Sequence, residues 1–425
     1  MTKVLLVGAG GREHALAWGI ARSPRLRELV AAPGNPGIAR HARCVPIPDS
    51  AIDDLVVFAR RERPDLTVVG PELPLALGLA DRLREAGFPV FGASQAAARL
   101  ESSKAFAKTL MAGHGIPTAR FRILKDGPAA RAFCRELGAP LVVKADGLAA
   151  GKGALVCRTL EEADQAVAEC LEARRFGAAG ATIVIEEFME GEEASFFALT
   201  DGRSALALAA AQDHKTVLDD DRGPNTGGMG AYSPAPVVDA AMSARVMAEI
   251  VEPVIRAMRE EGHPYTGVLY VGLMIGKDGP RVVEFNCRFG DPECQAILPR
   301  LDEDLLPLLE AIATGGRLPA VLRWRPEASV CVVVASGGYP GAYATGVPIA
   351  GLDDAALTGV NVFHAGTAER DGALVTAGGR VLGVQALGAD VASAIANAYA
   401  GVARVRFAGM HFRRDIGRKA LGRTA

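Results

Sequence analysis

The segment that most limits what this chain can form is Leu141–Gly153, which reads LVVKADGLAAGKG. Its apolar start predicts a short strand that presents Lys144, and the glycine-rich loop that follows carries a second lysine, Lys152. Accessible backbone N–H groups beside two fixed cations favour an anion such as a triphosphate. The loop is not a P-loop, because Asp146 stands at the first glycine of that motif and Gly153 at its Ser or Thr. It predicts a phosphate-binding flap if metal-binding acids lie downstream, and otherwise an ordinary surface turn.

Such side chains occur in Val282–Glu293, which reads VVEFNCRFGDPE. The run VVEF predicts a buried strand, and strand alternation places Glu284, Asn286 and Arg288 on one face. Two oxygen donors from one strand end suit Mg²⁺, which takes few protein ligands and adds phosphate oxygens and water. Arg288 could hold a phosphoryl or carboxylate group through two hydrogen bonds. Alone, the segment is equally typical of a solvated strand end, but beside a phosphate flap it predicts a metal platform.

A third segment, Thr182–Phe197, lies between these two and reads TIVIEEFMEGEEASFF. It predicts a β-branched strand, a turn at Gly191 and a second apolar strand. A carboxylate at a strand end can accept hydrogen bonds from an exocyclic amine or a ribose hydroxyl, which makes Glu186, Glu187 and Phe188 a candidate nucleoside pocket. The alternative is a hairpin with a solvated acidic turn.

The first hundred residues alternate strand and helix signals, which predicts an open parallel α/β sheet. The first loop carries Gly8 and Gly10 of a GxGxxG pattern, but Glu13 stands at the third glycine and Ala32 ends the second strand where an acid is needed. A nicotinamide-dependent dehydrogenase is therefore disfavoured. A single phosphate needs only free backbone N–H groups at the start of the next helix. The loop therefore either binds one phosphate or is simply a tight turn.

Length and charge limit the broad class. The 425 residues exceed one hydrophobic core and predict three or four packed units. A net charge of −2 argues against nucleic acid or an anionic membrane as partner. Apolar runs are strand-length, no signal peptide precedes the first strand, and seven cysteines without metal-type spacing predict reduced thiols. These features predict a cytoplasmic enzyme.

The rest of the chain predicts smaller features. QDHK at Gln212–Lys215 predicts a strand end, with His214 as a structural hydrogen bonder, and GPNTGGMG at Gly223–Gly230 predicts a long loop. Strand patterns after residue 326 predict an antiparallel sheet followed by a helix at Ala389–Val402. A basic tail predicts a solvated surface, with the cations Arg413, Arg414, Arg418, Lys419 and Arg423.

Together these segments resemble ATP-grasp enzymes, and most closely the phosphoribosylamine–glycine ligase family of purine biosynthesis. The motifs that carry the resemblance are GAGGREHALAW at Gly8–Trp18, APGNPG at Ala32–Gly37, GPE at Gly70–Glu72, LESSKAFAK at Leu100–Lys108, KADGLAAGKG at Lys144–Gly153, IEEFMEGEEAS at Ile185–Ser195, QDHK at Gln212–Lys215, GPNTGGMGAYSPAP at Gly223–Pro236, EFNCRFGDPE at Glu284–Glu293, SGGYPG at Ser336–Gly341 and FHAGT at Phe363–Thr367. Cys294 departs from the Thr that is common there. Another ATP-grasp ligase would share the flap and the platform, but not GGREHALA, QDHK and GPNTGGMGAYSP.

The resemblance implies an α/β and α+β multidomain protein with an N-terminal open parallel α/β sheet, a two-part ATP-grasp fold and a C-terminal, mainly antiparallel β domain. The expected divisions are residues 1–100 for a substrate domain, 101–120 for a linker and first helix, 121–192 for the small nucleotide-clasping domain, 193–325 for the central catalytic domain and 326–425 for the C-terminal domain.

The resemblance also implies the chemistry. ATP phosphorylates the carboxylate of glycine, and the amine of 5-phosphoribosylamine attacks the acyl phosphate, giving glycinamide ribonucleotide, ADP and phosphate. The implied cofactors are ATP and Mg²⁺ or Mn²⁺. The implied partners are these small molecules only, with no nucleic acid or membrane, in a monomer or weak dimer.

Site residues are carried over by position. The expected metal ligands are Glu284 and Asn286, and the expected catalytic residues, which stabilise charge on the transferring phosphoryl group, are Arg288 and Lys152. The expected ATP contacts are Lys104, Lys144, Gly151, Lys152, Gly153, Glu186, Glu187, Phe188 and Glu192. The expected contacts to the other substrates are Gly10, Gly11, Arg12, Pro71, Glu72, Asp213, Lys215, Asn225, Thr226, Arg288, Asp291 and Glu293.

Overall fold

The computed structural model describes residues 1–148, 153–173, 175 and 177–423, so Gly151 and Lys152 lie outside the described residues. A five-stranded parallel sheet in the order β3-β2-β1-β4-β5 forms the N-terminal part, as predicted. Its elements are β1 (Thr2–Gly8), α1 (Gly11–Ala21), β2 (Leu26–Pro33), β3 (Arg43–Cys44), α2 (Ile52–Glu62), β4 (Leu66–Val69), α3 (Glu72–Ala76), α4 (Leu79–Glu85) and β5 (Val90–Phe91). Parallel strands end at a common edge, so the loops after β1 and β4 lie side by side.

A four-stranded antiparallel sheet, β6-β9-β7-β8, carries the flap. The elements of this part are α5 (Arg99–Ser102), α6 (Lys104–Gly113), β6 (Phe121–Leu124), α7 (Gly127–Leu137), β7 (Leu141–Ala145), β8 (Ala154–Cys157), α8 (Leu160–Val167) and β9 (Ile183–Glu187). Helices α7 and α8 cover this sheet and bury an apolar core that includes Phe133, Val143 and Ile185. The flap joins β7 to β8, which places Lys144 at its base.

The central part is built on a second antiparallel sheet, β11-β10-β16-β17. Its elements are β10 (Glu192–Thr200), β11 (Ala205–Ala207), β12 (Gln212–Asp213), β13 (Thr216–Leu218), β14 (Arg222–Asn225), β15 (Gly230–Ser233), α9 (Ala240–Val246), α10 (Glu252–Glu260), β16 (Gly267–Gly276), β17 (Gly279–Asn286), α11 (Glu293–Ile297) and α12 (Leu305–Thr314). A π-turn at Met247–Val251 joins α9 to α10. The strand predicted from VVEF is therefore confirmed as β17.

One alternative is excluded and one local prediction is wrong. The hairpin left open for the strands on either side of Gly191 does not form, because β9 is already paired on both edges, with β6 and β7, and β10 pairs with β16 in the other sheet. The chain crosses between the two sheets at this point. The segment Gly223–Gly230 is not loop throughout, since Arg222–Asn225 forms β14 and pairs with β13.

The C-terminal part is an antiparallel sheet in the order β12-β15-β18-β22-β19, as predicted. Its further elements are β18 (Ala328–Ala335), α13 (Leu352–Ala356), β19 (Asn361–His364), β20 (Thr367–Arg370), β21 (Ala373–Thr376), β22 (Arg380–Gly388) and α14 (Val391–Val402). Strands β12 and β15 come from the range 193–325 and complete this sheet, which ties the central and C-terminal parts together. The division of the chain at residue 326 stays a proposal.

The prediction of a solvated basic tail is wrong at Arg413. Its side chain is fully buried and pairs with Asp415 at 2.7 Å and Asp221 at 3.0 Å. It also donates to the Thr216 hydroxyl at 3.0 Å. A buried guanidinium needs such partners, and the acids around the β13–β14 turn provide them.

Other tail residues add to this contact. Arg418 pairs with Asp220 at 2.9 Å, and Arg423 pairs with Glu192 at 2.7 Å.

All seven cysteines are free. None of the helices in the described ranges combines the length and apolarity that a membrane span requires.

Candidate active site

Lys144 stands at the base of the flap, at the point where two sheets meet. Its side chain is buried, and its Nζ lies 3.0 Å from Glu186 Oε2 and donates to the Val283 carbonyl at 3.0 Å. The register of β17 slips by one residue between the pairs Gly272–Glu284 and Leu273–Val282, which leaves Val283 without an opposite residue. Such a bulge frees a carbonyl for a side chain. Lys144 thereby fixes the flap sheet against the strand that carries the metal platform.

Glu186 is engaged by two lysines. Its carboxylate is 1% exposed and lies 3.0 Å from Lys144 Nζ and 3.1 Å from Lys108 Nζ. Burial lowers the pKa of Lys108 to about 8, against the opposing effect of Glu186. Nearby, Glu187 accepts from the Arg120 N–H at 2.9 Å and pairs with Arg281. Glu186 thus acts as the anion between two cations in this conformation, and its contact to a nucleoside stays a prediction.

The entrance to the flap is anchored on the first turn of α6. Asp146 Oδ1 accepts from the Ser103 hydroxyl and from the Ala105 N–H, both at 3.0 Å. Lys104 Nζ donates to the Gly147 carbonyl at 3.4 Å. The side chain of Lys104 therefore reaches the flap, as a phosphate contact would require.

The metal platform keeps its charge. Burial alone would raise the pKa of Glu284, but the cations Lys215, Lys104, Lys144 and Arg288 outweigh it, and the pKa lies below its usual range. An ionised carboxylate is the form that binds a hard cation.

Asn286 completes the platform. It is buried, and its Oδ1 accepts from Arg288 Nη2 at 3.2 Å. No group of three or more His, Cys, Asp or Glu is placed to hold a metal within the described ranges. One carboxylate and one amide oxygen fit Mg²⁺, whose remaining positions go to phosphate oxygens and water.

A partly exposed polar network borders Glu284, with the Lys215 side chain 31% exposed and that of Glu193 45% exposed. Lys215 Nζ pairs with Glu193 at 2.9 Å, and although burial opposes it, Glu193 and Asp213 raise the pKa of Lys215 well above its usual range. Burial, together with Glu293 and Glu193, raises the pKa of Asp213 to about 7 against the effect of Lys215.

Glu293 is fixed within the same network. Its Oε1 accepts from the Ser195 hydroxyl at 3.0 Å, which lies 3.0 Å from the Tyr270 hydroxyl. Four predicted residues, Asp213, Lys215, Glu284 and Glu293, are thus brought together.

Arg288 lies between two carboxylates. Its Nε donates to Glu72 Oε2 at 3.2 Å, and its Nη2 lies 2.9 Å from Glu101 Oε1. Glu72 was predicted and Glu101 was not. The only sequence signal for Glu101 was its place in the LESSK motif, where Ser103 and Lys104 drew attention instead.

The first glycine-rich loop is closed by carboxylates. The Gly10 N–H donates to Glu13 Oε2 at 2.6 Å, and the Arg12 N–H donates to Asp291 Oδ2 at 3.3 Å. Glu13 packs so tightly that a methyl group on Gly70 would lie 2.2 Å from its Oε1. Two of the N–H groups expected for a phosphate are therefore already used, and the phosphate prediction for this loop stays untested.

Other predicted residues lie around this loop. Arg12 Nη1 donates to the Gly70 carbonyl at 2.7 Å and lies 3.8 Å from Glu72. Pro71 caps α3. A methyl group on Gly11 would lie 2.5 Å from Gln295 Nε2, so any larger residue there would displace the Gln295 amide.

The remaining predicted residues stand further out. Glu192 faces Arg423, Phe188 is 38% exposed, and Asn225 is exposed on the β13–β14 hairpin. Thr226 donates from its hydroxyl to the Lys215 carbonyl at 2.8 Å. Gly153 accepts from the Ala145 N–H at 2.8 Å.

His214 does not act as the predicted hydrogen bonder through its ring. Among the described residues neither ring nitrogen has a hydrogen-bond partner, although the side chain is 1% exposed. Burial lowers the pKa of His214 to about 4, so the ring is neutral near pH 7. It packs against Tyr232, with ring centroids 5.9 Å apart.

Comparisons with known proteins identify the family of the chain. Three domain families align in order: Phosphoribosylglycinamide synthetase, N domain, over residues 2–101; its ATP-grasp (A) domain, over 102–294; and its C domain, over 329–419. The chain is 57% identical over 421 residues to phosphoribosylamine–glycine ligase of Rhizobium meliloti (strain 1021), and the match covers 99% of each.

Solved structures agree. A phosphoribosylamine–glycine ligase from Thermotoga maritima superposes with a TM-score of 0.86 at 33% identity, over 97% of this chain and 99% of that one. The biotin carboxylase domain of Hydrogenobacter thermophilus 2-oxoglutarate carboxylase, solved with MgADP and bicarbonate, superposes with a TM-score of 0.74 at 18% identity, over 97% and 91%. The second likeness concerns the fold alone.

Proposed function

The chain belongs to the phosphoribosylamine–glycine ligase family, and on that premise we propose that the site between the flap base and the β17 platform joins glycine to 5-phosphoribosylamine with ATP. The family resemblance expected from the motifs is confirmed. The chain is thus an ATP-grasp ligase of purine biosynthesis.

One observation carries the assignment of chemistry to this place. The oxygen pair of Glu284 and Asn286 is faced by the flap-side lysines Lys104 and Lys144, while Arg288 continues the same strand end. A nucleotide triphosphate with its metal needs this combination of cations and hard oxygen ligands.

The residues then take separate roles. Lys144, Lys104 and Lys152 hold the phosphates of ATP, with Gly151, Gly153, Glu186, Glu187, Phe188 and Glu192 as the further nucleotide contacts. Glu284 and Asn286 would hold Mg²⁺ or Mn²⁺, which would neutralise charge on the phosphate oxygens. Arg288 and Lys152 stabilise the transferring phosphoryl group by position and charge.

Two bond exchanges complete the reaction. A carboxylate oxygen of glycine takes the γ-phosphoryl group and ADP leaves, giving glycyl phosphate. The amine nitrogen of 5-phosphoribosylamine attacks the acyl carbon, phosphate leaves, and the nitrogen loses a proton as the amide forms. No protein nucleophile is needed, so the free cysteines have no part in these steps.

The substrate contacts belong to the same proposal. Asp213, Lys215 and Glu293 form the polar network beside Glu284, whereas Arg12, Glu72 and Asp291 form a second cluster at the end of β1. The remaining assigned contacts are Gly10, Gly11, Pro71, Asn225 and Thr226. A cytoplasmic location and a monomer or weak dimer complete the proposal.

ADP release measured with ATP, glycine and freshly made 5-phosphoribosylamine tests this function. We expect release to require both co-substrates, and omission of either one to reduce it to background. The matched control is the variant Glu284→Ala, which should stay at background in every mixture. ADP release that ignores glycine would contradict the proposal and indicate a simple ATPase.

A further inference from the structure

A buried carboxylate outside the predicted set supports the end of β17. Glu101, in α5, is 9% exposed. Its Oε1 lies 2.9 Å from Arg288 Nη2. Its Oε2 accepts from the Cys287 N–H at 2.8 Å and from Cys287 Sγ at 3.0 Å. Both oxygens of Glu101 therefore hold residues that directly follow Asn286.

The thiol contact has a defined direction. Cys287 Sγ lies 3.0 Å from Glu101 Oε2, and an ionised carboxylate oxygen can only accept. The thiol is therefore the donor of this hydrogen bond. Glu101 receives two hydrogen bonds at one oxygen and an ion pair at the other, which fixes its plane.

The guanidinium of Arg288 passes this constraint on. Its Nη2 bridges Glu101 and the Asn286 amide oxygen, at 2.9 and 3.2 Å. Its Nε contacts Glu72 at 3.2 Å, and its Nη1 donates to the Phe289 carbonyl at 3.2 Å. Because a guanidinium is planar and rigid, fixing one nitrogen sets the direction of the others.

The residues that follow Glu101 contact the opposite wall of the site. Ser103 and Ala105 donate to Asp146, and Lys104 donates to Gly147, at the entrance of the flap. The short stretch 101–105 therefore spans from the platform to the flap base. A residue at its start is well placed to keep these two walls in register.

We propose that Glu101 is a positioning residue for the ligase reaction: its carboxylate orients Arg288 and, through the shared Nη2, the amide of Asn286. It acts through these residues and does not itself contact substrate. The inference rests on the proposed function, because Arg288 and Asn286 must act on the phosphoryl group and the metal. The competing explanation is that Glu101 only satisfies the buried Cys287 N–H.

The variant Glu101→Gln separates the two explanations, since its amide oxygen can still accept from Cys287 but carries no charge for Arg288. We expect kcat to fall on the order of tenfold or more, with the KM for 5-phosphoribosylamine within about twofold of wild type and the melting temperature near wild type. We also expect Mn²⁺ to bind several-fold more weakly in the presence of ATP, measured by the free Mn²⁺ signal in electron paramagnetic resonance. Glu310→Gln is the matched control. Glu310 lies on α12 and also pairs with an arginine, Arg25, at 2.8 Å, but it has no role in the proposed reaction.

A double-mutant cycle with Arg288→Ala completes the test. If Glu101 acts through Arg288, adding Glu101→Gln to Arg288→Ala lowers the residual rate no further. An equal loss in both backgrounds, or unchanged kcat and Mn²⁺ binding in the single variant, would overturn the inference. Should Glu101→Gln fail to fold, Glu101→Asp retains the charge, withdraws it by one methylene and is read in the same way. A wild-type protein without glycine-dependent ADP release would instead count against the proposed function.

Discussion

One glycine-rich loop follows β1 of the parallel sheet, and a second follows β7 of an antiparallel sheet. The two loops differ in the charged groups that surround them. The loop after β1 has its Gly10 and Arg12 N–H groups bonded to the carboxylates of Glu13 and Asp291. The loop after β7 begins beside the cations Lys144 and Lys104. Both loops could be described by glycine spacing alone, but the cation of the first, Arg12, lies among the carboxylates of Glu13 and Glu72, at 3.5 and 3.8 Å.

The difference shows what glycine does in such loops. Glycine allows the backbone to turn tightly and to approach a neighbour, as Gly70 does with Glu13. The side chains around it decide whether the exposed N–H groups meet a ligand or an internal carboxylate. The Glu13 carboxylate accepts from the Gly10 N–H at the helix start, a position that favours an anion.

The largest effect expected from this comparison is at the platform opposite the second loop. Glu284→Ala removes a proposed metal ligand and no apolar core volume, so we expect turnover below about a tenth of wild type at saturating Mg²⁺, with the fold kept. Steady-state rates and thermal melts measure the two parts. A variant that keeps more than that rate would show that Glu284 is not a metal ligand.

Next in size is the contrast between the cations of the two loops. Lys144→Ala or Lys152→Ala should weaken the use of ATP by roughly 10- to 150-fold, the value of a charge-assisted phosphate contact, with glycine use changed far less. Arg12→Ala, at the first loop, should leave the KM for ATP unchanged. Substrate titrations of the three variants measure this. Unchanged ATP dependence in both lysine variants, or an equal defect in the Arg12 variant, would remove the distinction between the loops.

A third difference concerns how the stability of each region responds to low pH. Burial lowers the pKa of His14 to about 2 and that of His364 to about 4, next to the first loop. When the pKa of a histidine is lower in the folded state than in the unfolded state, the unfolded state binds protons first as the pH falls. The free energy of unfolding is therefore undiminished above the unfolded-state pKa of about 6.5 and decreases as the pH falls from there toward the folded-state pKa. We expect the free energy of unfolding to fall by about 2 kcal/mol per buried histidine between pH 7.5 and 5.

The flap sheet sharpens this prediction, because no histidine occurs between residues 115 and 213. Hydrogen exchange at pH 5 should therefore open residues near His14 and His364 before β6–β9. His364→Gln should flatten the pH slope, because it removes one of the histidines whose pKa is lowered. A flat stability profile from pH 7.5 to 5 would count against neutral buried histidines.

The smallest effect is a predicted lack of binding at the first loop. A dinucleotide needs a third glycine and an acid after β2, and this chain has Glu13 and Ala32 there. Titration with NADH and NADPH should show no saturable fluorescence change at micromolar ligand. Tight binding of either cofactor would revive the dehydrogenase alternative.

Local patterns predicted much of this fold. Strand alternation and flanking glycines were sufficient for β1, β7 and β17, and so for the placement of Lys144 and Glu284. What they did not contain was pairing between distant segments. A hairpin around Gly191 stayed open as an alternative, because the local sequence does not indicate that both edges of β9 are already paired.

Two side chains illustrate the same limit at the site. Glu101 contacts Cys287, 186 residues away, and Arg413 contacts Asp221, 192 residues away. A glutamate in a short helix and an arginine in a basic tail both have the composition of exposed residues. Their burial depends on partners that local sequence does not identify.

The buried pairing of Arg413 also sets an order of events during synthesis. Thr216, whose hydroxyl accepts from Arg413, precedes it by 197 residues. A ribosome adding roughly 5–20 residues per second makes Arg413 roughly 10 to 40 s after Thr216. Throughout that interval the hairpin next to Lys215 lacks the guanidinium that anchors it in the finished protein. A nascent chain can therefore form β7, β8 and β17 before Arg413 is available to anchor the β13–β14 hairpin beside Lys215.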